Sequence, residues 1–131
     1  MNYESNASIF EQIADRVGDR ILDGKYQSEG RIPSVRDLAV EMGVNPNTVM
    51  RSFERLQQHG VIYNKRGIGY FVAPEAKDKI RCMRQEHFLR EVLPAVFKEM
   101  QLLGFNPEIL SAAWQTYLLA NPQKTHTDET E

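Results

Sequence analysis

Hydrophobic residues recur at helical spacing over three segments in the first half of the chain. This pattern predicts amphipathic helices over residues 8–23, 34–42 and 46–58. A polar residue that can cap the helix precedes or begins each one, and a glycine follows each one as a stop. The capping residues are Ser8, Ser34 and Asn45, and the glycines are Gly24, Gly43 and Gly60.

The turn between the second and third predicted helices is short. Gly43 can adopt the left-handed conformation that ends one helix, Asn45 can cap the next, and Pro46 suits its first position. With a rotation of about 100° per residue, the third helix separates a packing face from a polar face, which carries residue types that hydrogen-bond base edges and phosphates. The packing face carries Val49, Phe53 and Leu56, and the polar face carries Asn47, Arg51 and Glu54, flanked by Thr48.

Two short segments after the third helix are rich in β-branched and aromatic residues. They predict strands over residues 61–65 and 70–73, joined by a turn at residues 66–69. The sequence Gly67-Ile68-Gly69 is superficially similar to a phosphate-binding loop, but such a loop precedes a helix and this one precedes a strand. Three helices followed by a hairpin are the order of a winged helix-turn-helix domain. We therefore predict a mainly α fold with a small β-hairpin wing.

Pro74 marks the predicted end of this domain, and a helical pattern resumes after it. We predict a long helix over residues 75–103, which Pro94 must kink or break because proline has no amide donor. A turn at residues 104–107 precedes a last amphipathic helix. The predicted organisation is a winged helix-turn-helix domain over 1–74, a helical dimerisation segment over 75–120 and a flexible polar tail over 121–131.

Composition favours a cytoplasmic globular protein. The 131 residues are 41% hydrophobic, enough for a packed core, and the single cysteine, Cys82, excludes a disulfide framework. No run of about 18 apolar residues indicates a membrane span, and the polar N-terminus is not typical of a signal peptide. The formal net charge is −2, but four basic side chains in residues 44–69 face only Glu54, a local charge of +3. This local basic region is compatible with a nucleic-acid partner.

No arrangement of residues predicts catalysis, a metal site or a cofactor. The histidines His59, His87 and His126 lack metal-ligand spacing, and no serine, histidine and acidic residue are arranged for nucleophilic catalysis. Trp114 and Tyr117 could line a ligand pocket, but helix packing is the more common use of such side chains. We therefore expect a protein that is not an enzyme and needs no cofactor.

Five sequence segments carry a family resemblance. They are Ile9–Ile13, Ile21–Gly24, Arg31–Ala39, Gly43–Val49 and Gly67–Val72. In order and spacing they resemble the winged-helix domain of GntR-type bacterial transcription regulators, over about half of the chain. The Asn-Pro-Asn-Thr-Val sequence, the aromatic Phe53 and the short helical tail resemble the YtrA subfamily in particular.

The resemblance implies a homodimer on a palindromic operator, with the third helix in the major groove of double-stranded DNA and the wing tip at the minor groove. Many relatives carry arginine at the position of Met50, and Ile68 and Tyr70 replace residues common in the family's wing. Lys65 and Arg66 therefore have to supply the charge of the wing. The predicted DNA-binding residues are Ser34, Arg36, Asn45, Asn47, Thr48, Arg51, Lys65, Arg66 and Gly67.

Three of these residues also have simpler explanations. Arg51 is compatible with a solvated surface arginine, and Asn45 with helix capping alone. Arg36 is compatible with an ion pair to Asp37 or Glu41.

Two functions from different classes follow from this pattern. The first is a homodimeric transcriptional repressor of a nearby operon, for which the resemblance suggests a transporter operon. The apolar residues of the 75–120 segment spread over more than one stripe, so a second copy is expected to cover part of them. The alternative is a winged-helix protein–protein interaction module. The stretch after Pro74 is too short for a separate effector domain, and the sequence identifies no effector.

Overall fold

The computed structural model describes residues 8–122, which are mainly helical with one two-stranded antiparallel sheet. The chain divides into two compact units, the first ending at Leu89 and the second beginning at Arg90. This architecture confirms the predicted winged helix-turn-helix with a small hairpin wing and a helical C-terminal segment. The elements are α1 (Ile9–Leu22), α2 (Val35–Met42), α3 (Pro46–Gln58), β1 (Ile62–Lys65), β2 (Gly69–Val72), α4 (Ala76–His87), a π-helical segment (Phe88–Val92), α5 (Leu93–Leu103) and α6 (Pro107–Ala120).

The core of the first unit is built from the apolar faces that the helical spacing predicted. Val49, Phe53 and Leu56 of α3 are completely buried. The ring of Phe53 meets the ring of Tyr70 edge to face with centroids 4.8 Å apart, which joins α3 to the wing. The buried side chains from α1, α2 and the two strands are Ile13, Ala14, Val17, Ile21, Leu38, Ala39, Ile62 and Val72.

The predicted helix starts have the expected caps. Ser8 and Glu11 form a reciprocal capping box, in which the Glu11 amide donates to Ser8 Oγ at 3.3 Å and the Ser8 amide donates to Glu11 Oε1 at 3.2 Å. Ser34 Oγ accepts the Asp37 amide at 3.0 Å. These local bonds fix where α1 and α2 begin.

The first unit extends beyond the predicted boundary at Pro74. Helix α4, which we assigned to the dimerisation segment, contributes Ala76, Ile80 and Met83 to the core and packs against α1. These side chains are buried within one chain, so they are not available to a second copy. The apolar pattern alone could not distinguish these two uses, because intrachain and interchain packing require the same residue types.

Pro94 lies just after a change of helix type in the predicted long helix, whose backbone stays helical at Phe88 and Val92. Helix α4 ends at His87, the π-helical segment follows, and α5 begins at Leu93 with Pro94 in its first turn. Proline removes one intrahelical hydrogen bond, and local π-helical geometry is one way in which a helix accommodates that loss. The wider turn of the π-helical segment ends the regular hydrogen-bond pattern just before this proline.

The second unit contains α5 and α6. Gly104, at φ 76°, ends α5 in the left-handed conformation, and Asn106 caps α6 by accepting the Ile109 amide at 3.3 Å. Neither helix has a buried side chain. Apolar side chains therefore remain exposed, and the largest are Phe97, Leu102, Leu103, Phe105, Ile109, Leu110, Trp114, Tyr117, Leu118 and Leu119.

The predicted polar tail over 121–131 lies mostly beyond the part of the chain that the structure describes. Only Asn121 and Pro122 of the predicted tail are described, so the remainder, with His126, lies outside the described residues. Within residues 8–122, no helix combines the length and apolar character needed to cross a membrane.

Candidate nucleic-acid interface

The turn between α2 and α3 has the predicted geometry. Gly43 has φ 67° and ψ 39°, the left-handed conformation that favours glycine. Asn45 is extended, and its Oδ1 accepts the Asn47 amide at 2.7 Å, with Pro46 at the start of α3. The Asn45 side-chain oxygen therefore caps α3, as the simpler explanation of this residue requires. A DNA contact by Asn45 remains a prediction.

The outer face of α3 exposes the predicted polar residues. Asn47 and Arg51 are exposed, and Thr48 is half-buried beside them. Met50 is also exposed, and its sulfur lies 4.0 Å from the hydroxyl of Tyr70. The face thus combines hydrogen-bonding groups with one thioether, and these groups can contact both base edges and thymine methyl groups.

Arg51 does not extend freely into solvent. Its Cζ lies over the ring of Phe10, 4.2 Å from the ring centroid, in a cation–π contact. Phe10 belongs to the first turn of α1 and is half-buried. The sequence analysis predicted α1 from its helical spacing and did not identify this contact. The periodicity of a helix shows which of its faces is apolar, but it does not show which side chains of another helix that face contacts.

Ser52 is the second residue that the sequence analysis missed. It is completely buried, and its hydroxyl lies 2.7 Å from the carbonyl oxygen of Phe10 and 3.1 Å from that of Thr48. Its position on the helical wheel, between Val49 and Phe53, could have indicated burial. A buried hydroxyl needs hydrogen-bond partners, and here they join α3 to the start of α1.

Arg36 lies exposed on α2 without the ion pair that was its simpler explanation. Glu41 instead pairs with Arg20 of α1, whose Nη2 lies 2.6 Å from Glu41 Oε2. Arg20 also donates to the hydroxyl of Tyr26 at 2.7 Å. The hydrogen bond from Arg20 lowers the pKa of Glu41, and the same bond raises the pKa of Arg20. Glu41 therefore pairs with Arg20 of α1 and not with Arg36.

The wing exposes three of the predicted residues. Lys65, Arg66 and Gly67 are all exposed, and the Lys65 ammonium lies 4.5 Å from the ring centroid of Phe71. Gly67 has φ 78°, a conformation that other residues adopt only with strain. Ile68, at the position where we noted a departure from the family, is 54% exposed. The tip of the wing is therefore partly apolar, with basic residues beside it.

All nine predicted DNA-binding residues belong to the first unit, on α2, α3, the wing and the residues that start these helices. Eight of them are exposed and Thr48 is half-buried. Among residues 8–122, no carboxylate forms an ion pair with Arg36, Arg51, Lys65 or Arg66. Their positive charges are therefore available to an anionic partner such as DNA.

Comparison with known proteins identifies close relatives. A family model described as bacterial regulatory proteins, gntR family, matches residues 9–72. The HTH-type transcriptional regulator YhcF of Bacillus subtilis is 31% identical over 88% of this chain and 93% of its own length. The HTH-type transcriptional repressor YtrA of Bacillus subtilis is 36% identical over 56% of this chain and 56% of its own length. The chain thus spans nearly all of YhcF and about half of YtrA.

Solved structures extend the similarity through the C-terminal helices. A crystal structure of a GntR-family transcriptional regulator from Bacteroides thetaiotaomicron has 48% identity and a TM-score of 0.72, and the match covers 86% of this chain and 98% of that one. The DNA-binding domain of AraR, crystallised in complex with operator ORX1, has 27% identity and a TM-score of 0.51. That match covers 53% of this chain and 84% of the AraR domain.

Proposed function

Because the chain belongs to the GntR family of bacterial regulatory proteins, we propose that it is a homodimeric repressor that binds a palindromic operator through α3 and the wing. The family membership makes it a DNA-binding transcription regulator and not an enzyme. The proposal adds the direction of regulation, the oligomeric state and the residues of the interface. A repressor bound to bacterial chromosomal DNA would act in the cytoplasm.

The unpaired basic surface of the first unit supports the operator contact most directly. Four basic side chains on α2, α3 and the wing have no carboxylate partner within residues 8–122, although the whole chain has a net charge of −2. Such a local field attracts phosphates, while Asn47 and Thr48 offer hydrogen bonds to bases. We propose that the contacts are Ser34, Arg36, Asn45, Asn47, Thr48, Arg51, Lys65, Arg66 and Gly67.

The exposed apolar surface of α5 and α6 supports the homodimer. Trp114 is 57% exposed, Tyr117 55% and Leu119 85%, and a folded protein rarely leaves this many large apolar side chains of two successive helices exposed. A second copy would bury this surface around a two-fold axis. The two recognition helices of such a dimer would match the two halves of a palindrome.

The direction of regulation rests on a relative. YtrA is named as a repressor, and the subfamily resemblance at residues 45–49 supports a repressor role for this chain. The family resemblance further suggests control of a nearby transporter operon. We assign no effector to the protein.

A protein-interaction module is the rival function, and the surface of α3 distinguishes the two. A docking helix would expose an apolar stripe, whereas α3 exposes Asn47, Arg51 and Glu54 with Met50 as its one large apolar side chain at the surface, 38% exposed. The polar and basic character of this face favours DNA.

A selection followed by a salt titration tests the proposal. Purified full-length protein would select duplexes from a pool of bacterial genomic fragments, and the Kd of a selected duplex would be measured by fluorescence anisotropy. We expect a selected palindrome and a loss of affinity of about 10³-fold or more between about 50 and 200 mM salt, because phosphate neutralisation releases counterions. Failure to enrich any sequence at any salt concentration would refute operator binding.

A further inference from the structure

Arg51 and Phe10 form a contact between α3 and the first turn of α1. The Arg51 Cζ lies 4.2 Å from the centroid of the Phe10 ring. Within residues 8–122, Arg51 has no ion pair with a carboxylate, and its guanidinium lies against the Phe10 ring instead. A proposed operator contact on one helix thus rests on an aromatic side chain of another.

Two independent interactions hold the backbone at Phe10 in place. The buried hydroxyl of Ser52 donates to the Phe10 carbonyl at 2.7 Å, and the capping box between Ser8 and Glu11 fixes the same turn of α1. Because Ser52 directly follows Arg51 in the chain, the backbone next to the arginine is tied to the backbone of the residue beneath its guanidinium. The fold therefore ties together the two backbone segments that carry these side chains.

The chemistry of this contact preorganises the arginine for recognition. An arginine side chain has many rotamers, and ordering it at an interface costs free energy. The electron-rich face of an aromatic ring attracts the guanidinium without using any of its N–H donors. The donors remain available for a phosphate or for the hydrogen-bonding edge of guanine.

We propose that Phe10 is a positioning residue for operator recognition, which acts by holding the Arg51 guanidinium in its DNA-binding orientation. This inference rests on the proposed function, since it assumes that Arg51 contacts the operator. It assigns a role in recognition to a residue of α1, outside α2, α3 and the wing.

A double-mutant cycle tests the inference. Full-length wild type, Phe10→Leu, Arg51→Ala and the double variant would be titrated with a labelled duplex that wild-type protein selects from a randomised DNA pool. We expect Phe10→Leu to raise the Kd about threefold to tenfold in the wild-type background, the range for ordering one long side chain. In the Arg51→Ala background the same change should alter the Kd by less than about 1.5-fold, because the side chain that Phe10 positions is gone.

Two further variants separate positioning from a structural role. Phe10→Tyr keeps the aromatic face and should bind the duplex with wild-type affinity. Leu22→Ala changes an exposed apolar residue at the other end of α1 and should have no effect on the Kd. A merely structural Phe10 would alter the Kd equally in both backgrounds, and that result would overturn the inference. So would an unchanged Kd for Phe10→Leu.

The outcomes also separate this inference from the proposed function. If wild-type protein selects no duplex, operator binding fails and the role of Phe10 fails with it. If wild type selects a duplex and Arg51→Ala weakens binding but Phe10→Leu does not, only the role of Phe10 is overturned.

Discussion

The guanidinium of Arg84 in α4 is bound to Asp19 in α1, with Nη2 and Oδ1 2.9 Å apart. The same nitrogen donates to the Asp15 carbonyl at 3.0 Å. It also lies 3.1 Å from the position that a Cβ would occupy on Gly18, so a larger residue there would push the guanidinium away by a few tenths of an ångström. Together with the buried Ile80, these contacts make α4 part of the winged-helix unit.

Truncation tests the position of this boundary. A chain that ends after Leu89 should remain folded and melt cooperatively, whereas a chain that ends after Pro74 should have a much lower melting temperature. The shorter chain loses Ala76, Ile80 and Met83 from the core, and removing even one large buried aliphatic side chain typically costs about 2–5 kcal/mol. Thermal unfolding by circular dichroism would compare the two. Equal melting temperatures would show that α4 adds nothing to the core.

Replacement of Arg51 should weaken operator binding without affecting the fold. Arg51→Ala leaves no core cavity because the side chain is exposed, and it removes only the cation–π contact with Phe10, so the melting temperature should change little. The expected loss of binding free energy is about 1–3 kcal/mol for a base contact, and it should then depend on the base pair contacted. Anisotropy titrations with single-base variants of the duplex would measure both effects.

Arg81→Ala is the matched control for this experiment. It removes the same charge from α4, where Arg81 pairs with Asp78 at 3.1 Å outside the proposed interface. An equal loss of affinity for both variants would mean that Arg51 contributes only through the net charge.

Phe53→Ala should act through stability. Phe53 is completely buried against Tyr70, and truncation of a buried phenylalanine costs about 3–5 kcal/mol. We expect a large drop in the denaturation midpoint, with loss of DNA binding as a consequence. Ile68→Ala, at an exposed position of the wing, should leave the midpoint nearly unchanged. A similar midpoint for both variants would contradict the packing face of α3.

The ion pair between Arg20 and Glu41 should make stability depend on pH in the acid range. Arg20 lowers the pKa of Glu41 in the folded protein below its ordinary value of 4.5. The stabilisation is therefore present above the unfolded pKa and is lost as the pH falls through the lower folded pKa.

Glu41→Gln measures this contribution. The variant should melt below wild type at neutral pH, and the difference should disappear as the pH falls below 4.5. Glu54→Gln removes an acidic group that has no ion pair among the described residues, and it serves as the control. A difference between wild type and Glu41→Gln that grows as the pH falls would contradict the assigned sign.

Charge placed on the apolar surface of α6 should dissociate the proposed dimer. Trp114 is 57% exposed in the single chain and stacks on Tyr117 with ring centroids 6.1 Å apart. Trp114→Glu should weaken self-association by about 2–4 kcal/mol, because a carboxylate would be buried in place of a large aromatic side chain. Sedimentation velocity would detect the monomer. The control variant, Gln57→Glu, adds the same charge on α3, and the protein should remain dimeric. A wild-type protein that sediments as a monomer would refute the proposed dimer.

Local sequence determined most of the elements, because their signals involve residues only a few positions apart. The capping pair of Ser8 and Glu11, the left-handed Gly43 and the Asn45–Pro46 start of α3 follow from such spacings. The buried face of Val49, Phe53 and Leu56 follows from helical periodicity. These same features placed the predicted DNA-binding residues, which the structure leaves exposed or half-buried on the first unit.

Only the tertiary structure decided which side chains meet across elements. The stacking of Arg51 on Phe10, the hydroxyl of Ser52 on the Phe10 carbonyl and the choice of Glu41 as the partner of Arg20 join residues that are 21 to 42 positions apart. The sequence also could not assign α4 to the first unit. An apolar stripe predicts that one face of a helix is buried, but the packing of the whole chain determines which element covers that face.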